Sequence, residues 1–183
     1  DVLIDKRARE VQRALSPLNH NRAIDAARLL NFAFMSVHTP ADNLVSRFLQ
    51  SYIESKEPLY LDDVVKVLNE LPEYEAASRH GAGPRILVGD GRKRAGKIMV
   101  MMTGGTGGPE DSIEKLAEAG VGTLIEMHME EKLRKKAEEK NINVIIAGHI
   151  ASDSIGMNLF LDELEQRGIT VLVCSGLIRH KRG

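Results

Sequence analysis

The sequence predicts an α/β protein of two lobes: a C-terminal lobe on a mainly parallel sheet with flanking helices, and an N-terminal lobe rich in helix. Three observations lead there. Apolar runs at 98–102, 123–127, 143–147 and 169–174 alternate with amphipathic helical patterns at about 110–119, 130–140 and 154–167. Strands separated by helix-length segments need crossover connections, and crossovers produce parallel pairing. Upstream, 32–37 is the one run with the character of a buried strand, set among four helical patterns. Between these regions the texture changes: 72–96 is rich in Gly and charge, with one short apolar segment, Ile86 to Val88. It reads as a connection, with a functional flap as the alternative. The expected division is therefore 1–71, 72–96 and 97–183.

The elements follow in order. Ile4, Ala8, Val11 and Leu15 share one helical face, and Pro17 ends that helix. A second helix, about Arg22 to Leu30, leads into the run 32–37. Leu44, Val45, Phe48, Leu49 and Tyr52 form the stripe of a third. Asp62 and Asp63 open a fourth, which carries Val64, Val65, Leu68 and Leu71. Gly120 and Gly168 stand where glycines just past a helix end belong. A lone strand has no sheet to join. The run 32–37 is therefore expected to pair with material outside these 183 residues or to leave an exposed apolar edge. The opening at Asp1, with no initiator Met, points the same way, and the N-terminal lobe is read as incomplete. Pairing of 32–37 with Ile86–Val88 or the C-terminal sheet would instead make it complete.

Composition narrows the function. A chain of 183 residues, 43% hydrophobic, supports one substantial core or two small lobes. The 25 Lys and Arg against 26 Asp and Glu leave a net charge of −1, which argues against a nucleic-acid partner bound through bulk positive charge. Aromatic residues are 4% with no Trp, so platforms for base stacking are scarce. The single Cys174 excludes an internal disulfide and fits a reducing compartment. No apolar run approaches the roughly 18 residues needed to cross a bilayer, and no signal peptide precedes the first charged helix. The expectation is a cytoplasmic protein with no membrane and no nucleic-acid partner.

Parallel sheets place ligands at the carboxyl ends of their strands, and two strand ends carry the same arrangement. FAFMSV runs into His38-Thr39-Pro40-Ala41-Asp42, and NVIIAG into His149-Ile150-Ala151-Ser152-Asp153. An imidazole nitrogen and a carboxylate oxygen converging in this way suit Zn, Mn, Fe or Ni. Two such half-sites could build a two-metal centre. The plainer account is capping. Thr39, Pro40 and Asp42 make a good helix start, and Asp153 has the chemistry of an N-cap. Either Asp alone favours capping; the two motifs together favour metal, with Asp42, His149 and Asp153 as ligands. His128 ends another run, in Glu126-Met127-His128-Met129, and is a third ligand, a proton carrier or a solvated histidine. The loop Thr103-Gly104-Gly105-Thr106-Gly107-Gly108 joins a strand to a helix start, so Gly104, Gly105 and Gly107 are weak candidates for a phosphate contact. It lacks the Lys of a P-loop and reads more simply as a tight turn. Cys174 is expected to be buried and inert. His20, His80 and His180 are read as surface residues, and 130–140 as a solvated helix face.

SVHTPADN at 36–43 and AGHIASDSIGMN at 147–158 resemble the dinuclear-metal-centre family named after NGG-one-interacting factor three, whose members are often called GTP cyclohydrolase I type 2 homologues. The likeness extends loosely over 20–178, with KIMVMMTGG and IEMH following the family's C-terminal lobe. It implies two similar α/β lobes facing each other across a metal pair, and a ring-shaped hexamer. Carried over by residue, Asp42 is on the metals with His38 lining the site. His149 and Asp153 are ligands, with Asp153 one methylene shorter than the family's usual Glu. Glu126 and His128 match polar site residues loosely. The family's adjacent His-His pair is absent, since Asn21 follows the single His20. Either the site is degenerate or the pair lies outside this chain.

The resulting expectation is a homo-oligomer holding divalent metal ions, two per site, and acting as a hydrolase on a phosphorylated or nucleotide-like small molecule. His38 or His128 would move protons. The rival is a non-catalytic metal-binding or regulatory oligomer working through protein partners.

Overall fold

A computed structural model describes residues 2–15, 21–104, 108–109 and 111–182. The helices are α1 (Val2–Leu15), α2 (Arg22–Leu29), α3 (His38–Lys56), α4 (Leu61–Asn69), α5 (Pro72–Arg79), α6 (Asp111–Glu118), α7 (Glu131–Glu139) and α8 (His149–Gln166). The strands are β1 (Arg85–Val88), β2 (Lys97–Met101), β3 (Val121–Glu126) and β4 (Asn143–Ile146). The fold is mixed α/β, as expected. The chain divides into two compact units, Asp1–Val37 and His38–Gly183. These bounds differ from the expected division at 71 and 97, because α3 and α4 share one core with the sheet.

Apolar alternation builds that sheet. Its order is β1-β4-β3-β2, with β2, β3 and β4 mutually parallel. Val100, Ile125 and Ile145 point to one face and pack with Val45 and Leu49 of α3, Leu68 of α4 and Ile155 of α8. Leu124, Val144 and Ile146 point to the other and pack with Ile113 of α6 and Leu133 and Ala137 of α7. The charged side of α7 is solvated as expected, with Arg134 bridging Glu131 and Glu138. Both faces being covered accounts for the nearly continuous apolar runs. Truncating a fully buried member such as Leu124 or Ile145 to Ala would cost about 2–5 kcal/mol.

Three expectations need correction. The run 169–174 is not a fourth parallel strand and has no ladder partner among the described residues. The edge of β4 that a crossover through α8 would reach is already taken by β1, which pairs there antiparallel, with Arg85 opposite Ile146. Leu172 is left 89% exposed, and Cys174, in the same segment, is exposed rather than buried. Second, 72–96 is no mere connection. Pro72 starts α5 at a position suited to proline, Glu73 and Tyr74 are buried, and Ile86 to Val88 supply the fourth strand. Third, 32–37 forms no strand and joins neither Ile86–Val88 nor the sheet. The Phe32 amide turns back to bond the Ala27 carbonyl at 2.8 Å. Phe32 is 68% exposed, with Phe34 and Met35 exposed beside it. The apolar surface is exposed, but on an irregular segment and not along the expected strand edge. Pro17 and His20 lie outside the described residues.

Behind α8, the last residues are strapped down by charge. Arg182 pairs with the buried Glu73 carboxylate, and Asn158 Nδ2 donates to Glu73 Oε1 at 2.9 Å. Burial is the largest influence on Glu73 and raises its pKa. Hydrogen bonds from Arg182 and Asn158 outweigh it and hold the carboxyl below its ordinary value. Arg179 binds Asp162 and Glu165. No described helix is long and apolar enough to cross a membrane.

Candidate metal centre

Both His-x-x-x-Asp motifs open long helices. His38 is the first residue of α3 and His149 the first of α8. Residues four apart in a helix share a face, so each Asp stands one turn below its own His. His38 Nε2 is 3.7 Å from Asp42 Oδ2, and His149 Nε2 is 3.4 Å from Asp153 Oδ2. The two helices cross closely. A Cβ on Gly156 of α8 would lie 2.4 Å from the Ala41 carbonyl oxygen of α3, so only glycine lets them approach this far. Tyr74 steadies the start of α8, its hydroxyl 2.8 Å from Ser152 Oγ, while Ser152 Oγ donates to the Gly148 carbonyl at 2.6 Å.

The crossing unites the motifs. His38, His149 and Asp153 each offer a ligand atom within 4.8 Å of the others. Asp42 lies outside that group of three; its Oδ2 is 3.7 Å from His38 Nε2 and accepts a 3.1 Å hydrogen bond from the Gly104 amide. Neither Asp caps its helix. Gly148 occupies the N-cap of α8, and Asp42 is engaged by the glycine loop. Asp42 Oδ1 and Asp153 Oδ1 are buried and have no hydrogen-bond partner. A buried carboxylate oxygen without a partner is costly. Burial raises the Asp153 carboxyl above its ordinary value; His149 opposes this and Asp42 reinforces it. A cation among these groups would relieve both the desolvation and the repulsion. The grouped donors, two imidazoles and one carboxylate, fit a divalent metal ion.

Gly104 completes the cradle. A Cβ there would lie 2.6 Å from His38 Nε2, 2.9 Å from His149 Nε2 and 3.3 Å from Met127 Sδ. Glycine thus keeps open the space onto which both imidazoles face. This role was invisible in sequence, where Gly104 was a candidate only for phosphate; Gly105 and Gly107 lie outside the described residues. His128 stands beside the centre, its ring centroid 5.0 Å from that of His149. Glu126 points elsewhere. Its register partners Met101 and Ile146 belong to the α6–α7 face, and burial alone pushes its carboxyl up to about 7. His80, exposed as expected, and His180, half-buried, line a cavity beside His149. Only their three-dimensional placement shows it.

An α/β domain that gathers imidazoles and carboxylates at the N-termini of two packed helices is of a metal-binding type. Its structural neighbours are NIF3 superfamily proteins. The chain matches a NIF3 superfamily protein from Sphaerobacter thermophilus with a TM-score of 0.65 and 25% identity, over 91% of this chain and 65% of that one. Reduced HcgD from Methanocaldococcus jannaschii matches with a TM-score of 0.45 and 16% identity, over 60% and 40% of the respective chains. A Bacillus cereus protein related to NIF3 matches with a TM-score of 0.43 and 18% identity, over 66% and 32%. The chain thus spans less than two thirds of the length of these neighbours. No family model and no curated protein matches it.

Proposed function

We propose that this chain is a divalent-metal-binding hydrolase acting on a phosphorylated or nucleotide-like small molecule. The carrying observation is that His38, His149 and Asp153 bring ligand atoms within 4.8 Å of one another, with Asp42 Oδ2 3.7 Å from His38 Nε2 and an unpartnered buried oxygen on each Asp. A second ion, which the family likeness implies, would need further donors from outside this set. Bound there, a divalent metal supplies Lewis-acid activation of a scissile group.

The remaining work falls to the chain's own residues. His38 and His149 face the cradle through Nε2 and are committed to holding the ion. The Gly104 amide fixes Asp42, leaving Oδ1 free to bind. His128, outside the grouped donors yet beside His149, is placed to carry a proton to or from the reacting group. Met127 and Met129 flank His128 with apolar surface and limit water there.

A regulatory metal-binding oligomer is the second reading, supported by the exposed apolar residues Phe32, Phe34, Met35 and Leu172. The hexameric ring is part of the proposal under either reading. Equilibrium dialysis against Zn, Mn, Fe(II) and Ni with elemental analysis, then a phosphoesterase and nucleotide panel with the retained metal, tests it. Metal uptake lost in His149→Ala and Asp153→Ala, with turnover lost in His128→Ala while metal is retained, is the expected result. Uptake unchanged in both ligand variants would overturn metal binding at this centre. Uptake without turnover of any panel substrate would leave the regulatory oligomer as the better account.

A further inference from the structure

A cavity of about 600 Å³ lies against the metal centre, with His128 and His149 in its wall. Its size is that of a small-molecule site. Ala77, Leu87, Met127, Met129, Ile146 and Ile178 give it an apolar lining. The polar groups are few and one-sided. Glu73 reaches the wall, but its carboxylate is already engaged by Arg182 and Asn158. Arg85 also lines the cavity, and its side chain makes no ion pair or hydrogen bond with any described residue. The side chains of His80 and His180 share the lining and are likewise unengaged among the described residues. The uncompensated charge of this space is positive.

The topology explains how Arg85 came to be there. Strand β1 runs antiparallel to β4, so its first residue, Arg85, sits opposite Ile146 at the carboxyl end of β4. A parallel strand would have carried Arg85 to the far end of the sheet. The preceding turn holds it close, since a Cβ on Gly148 would lie 2.9 Å from the Ala82 carbonyl oxygen. The antiparallel strand therefore places Arg85, whose side chain has no partner among the described residues, at the edge of the sheet where the metal ligands begin.

We propose that this cavity binds an organic anion with an apolar body, whose charged group is held by Arg85 with His80 and His180. The apolar walls take the body, and the ligand's other end lies toward His128 and His149. An Arg guanidinium suits a phosphate or carboxylate because its donors form a planar fork. The proposal names the substrate class of the hydrolase reading and rests on it for function, though not for binding. Binding needs only the cavity.

The test uses protein stripped of metal by chelation, so that coordination and turnover contribute nothing. Three probes are titrated by calorimetry: 2-naphthyl phosphate, its neutral counterpart 2-naphthol, and inorganic phosphate. Wild type is expected to bind 2-naphthyl phosphate at least about tenfold tighter than either of the others. Arg85→Gln should reduce that affinity to the level of 2-naphthol, and Ala76→Phe, which fills the cavity from α5, should abolish binding of both aromatic probes. Arg92→Gln, a change to an exposed arginine outside the cavity lining, controls for loss of charge. Equal affinity for the phosphate and the naphthol overturns the proposal, as does affinity that survives both cavity variants, which would place the probe on exposed apolar surface. Circular dichroism of each variant separates loss of the site from loss of the fold. Saturable naphthyl phosphate binding by a chain that takes up no metal would sustain the cavity and refute the metal centre. Metal uptake without such binding would do the reverse.

Discussion

Replacing Gly104 with Ala tests the cradle with a single methyl group. The new Cβ would begin 2.6 Å from His38 Nε2 and 2.9 Å from His149 Nε2. Ordinary contact starts near 3.4 Å, so His38 must retreat by about 0.8 Å and His149 by about 0.5 Å. Metal–ligand distances tolerate only about 0.2 Å, so the displacement exceeds the tolerance at both imidazoles. The expected loss of metal affinity is about 10–100-fold, comparable to removing a group that orients a ligand. Stability should change little, because the backbone at Gly104 is not in the left-handed region and only side-chain tips must move. The assay is competition against a chromophoric chelator, with thermal unfolding of the metal-free protein as the control for folding. Unchanged affinity in a folded Gly104→Ala protein would show that the ion, if bound at all, lies elsewhere.

The other predictions concern protons and the tail. The folded pKa of Glu126, about 7, lies above its ordinary 4.5, so stability is fullest below about 4.5 and is lost as pH rises through about 7, by about 3 kcal/mol. Glu126→Gln should accordingly be more stable than wild type by up to that amount near pH 8.5 and equal to it near pH 4.5 in urea titrations; equal differences at both pH values would contradict it. Arg182→Ala leaves the buried Glu73 carboxylate without its cation and removes a guanidinium 5.3 Å from the Phe48 ring, which should cost about 3–5 kcal/mol at neutral pH. Because Glu73 is held below its ordinary pKa, that penalty should shrink as pH falls through the carboxylate range. Asp153 is held above its ordinary value by burial, so metal binding there should strengthen as pH rises through the carboxylate range, and affinity that does not change with pH would argue against Asp153 as a ligand.

How much was legible follows from range in the chain. The parallel core strands were readable because burial on both faces makes Val100, Ile125 and Ile145 parts of long apolar runs. The two metal motifs were readable because His and Asp recur four residues apart after an apolar run, although no strand precedes His38 and a shared helix face is what joins each pair. Their meeting was expected from the paired motifs, but the close approach behind it, Gly156 passing the Ala41 carbonyl more than a hundred residues away, was not legible. The direction of β1 was hidden as well: Ile86 to Val88 is apolar whichever way it pairs, and its antiparallel choice displaced 169–174 from the sheet. Helix α5 was masked by its charges, which hid the burial of Glu73 because that depends on Arg182 at the other end of the chain.

The most direct measurement is anomalous diffraction from crystals grown with the metal that the protein retains, collected on either side of that metal's absorption edge. A peak within about 2.0–2.3 Å of His38 Nε2, His149 Nε2 and an Asp153 oxygen is what the convergence of α3 and α8 predicts. A peak on other residues, or metal-soaked crystals with no peak between these two helices, would contradict it.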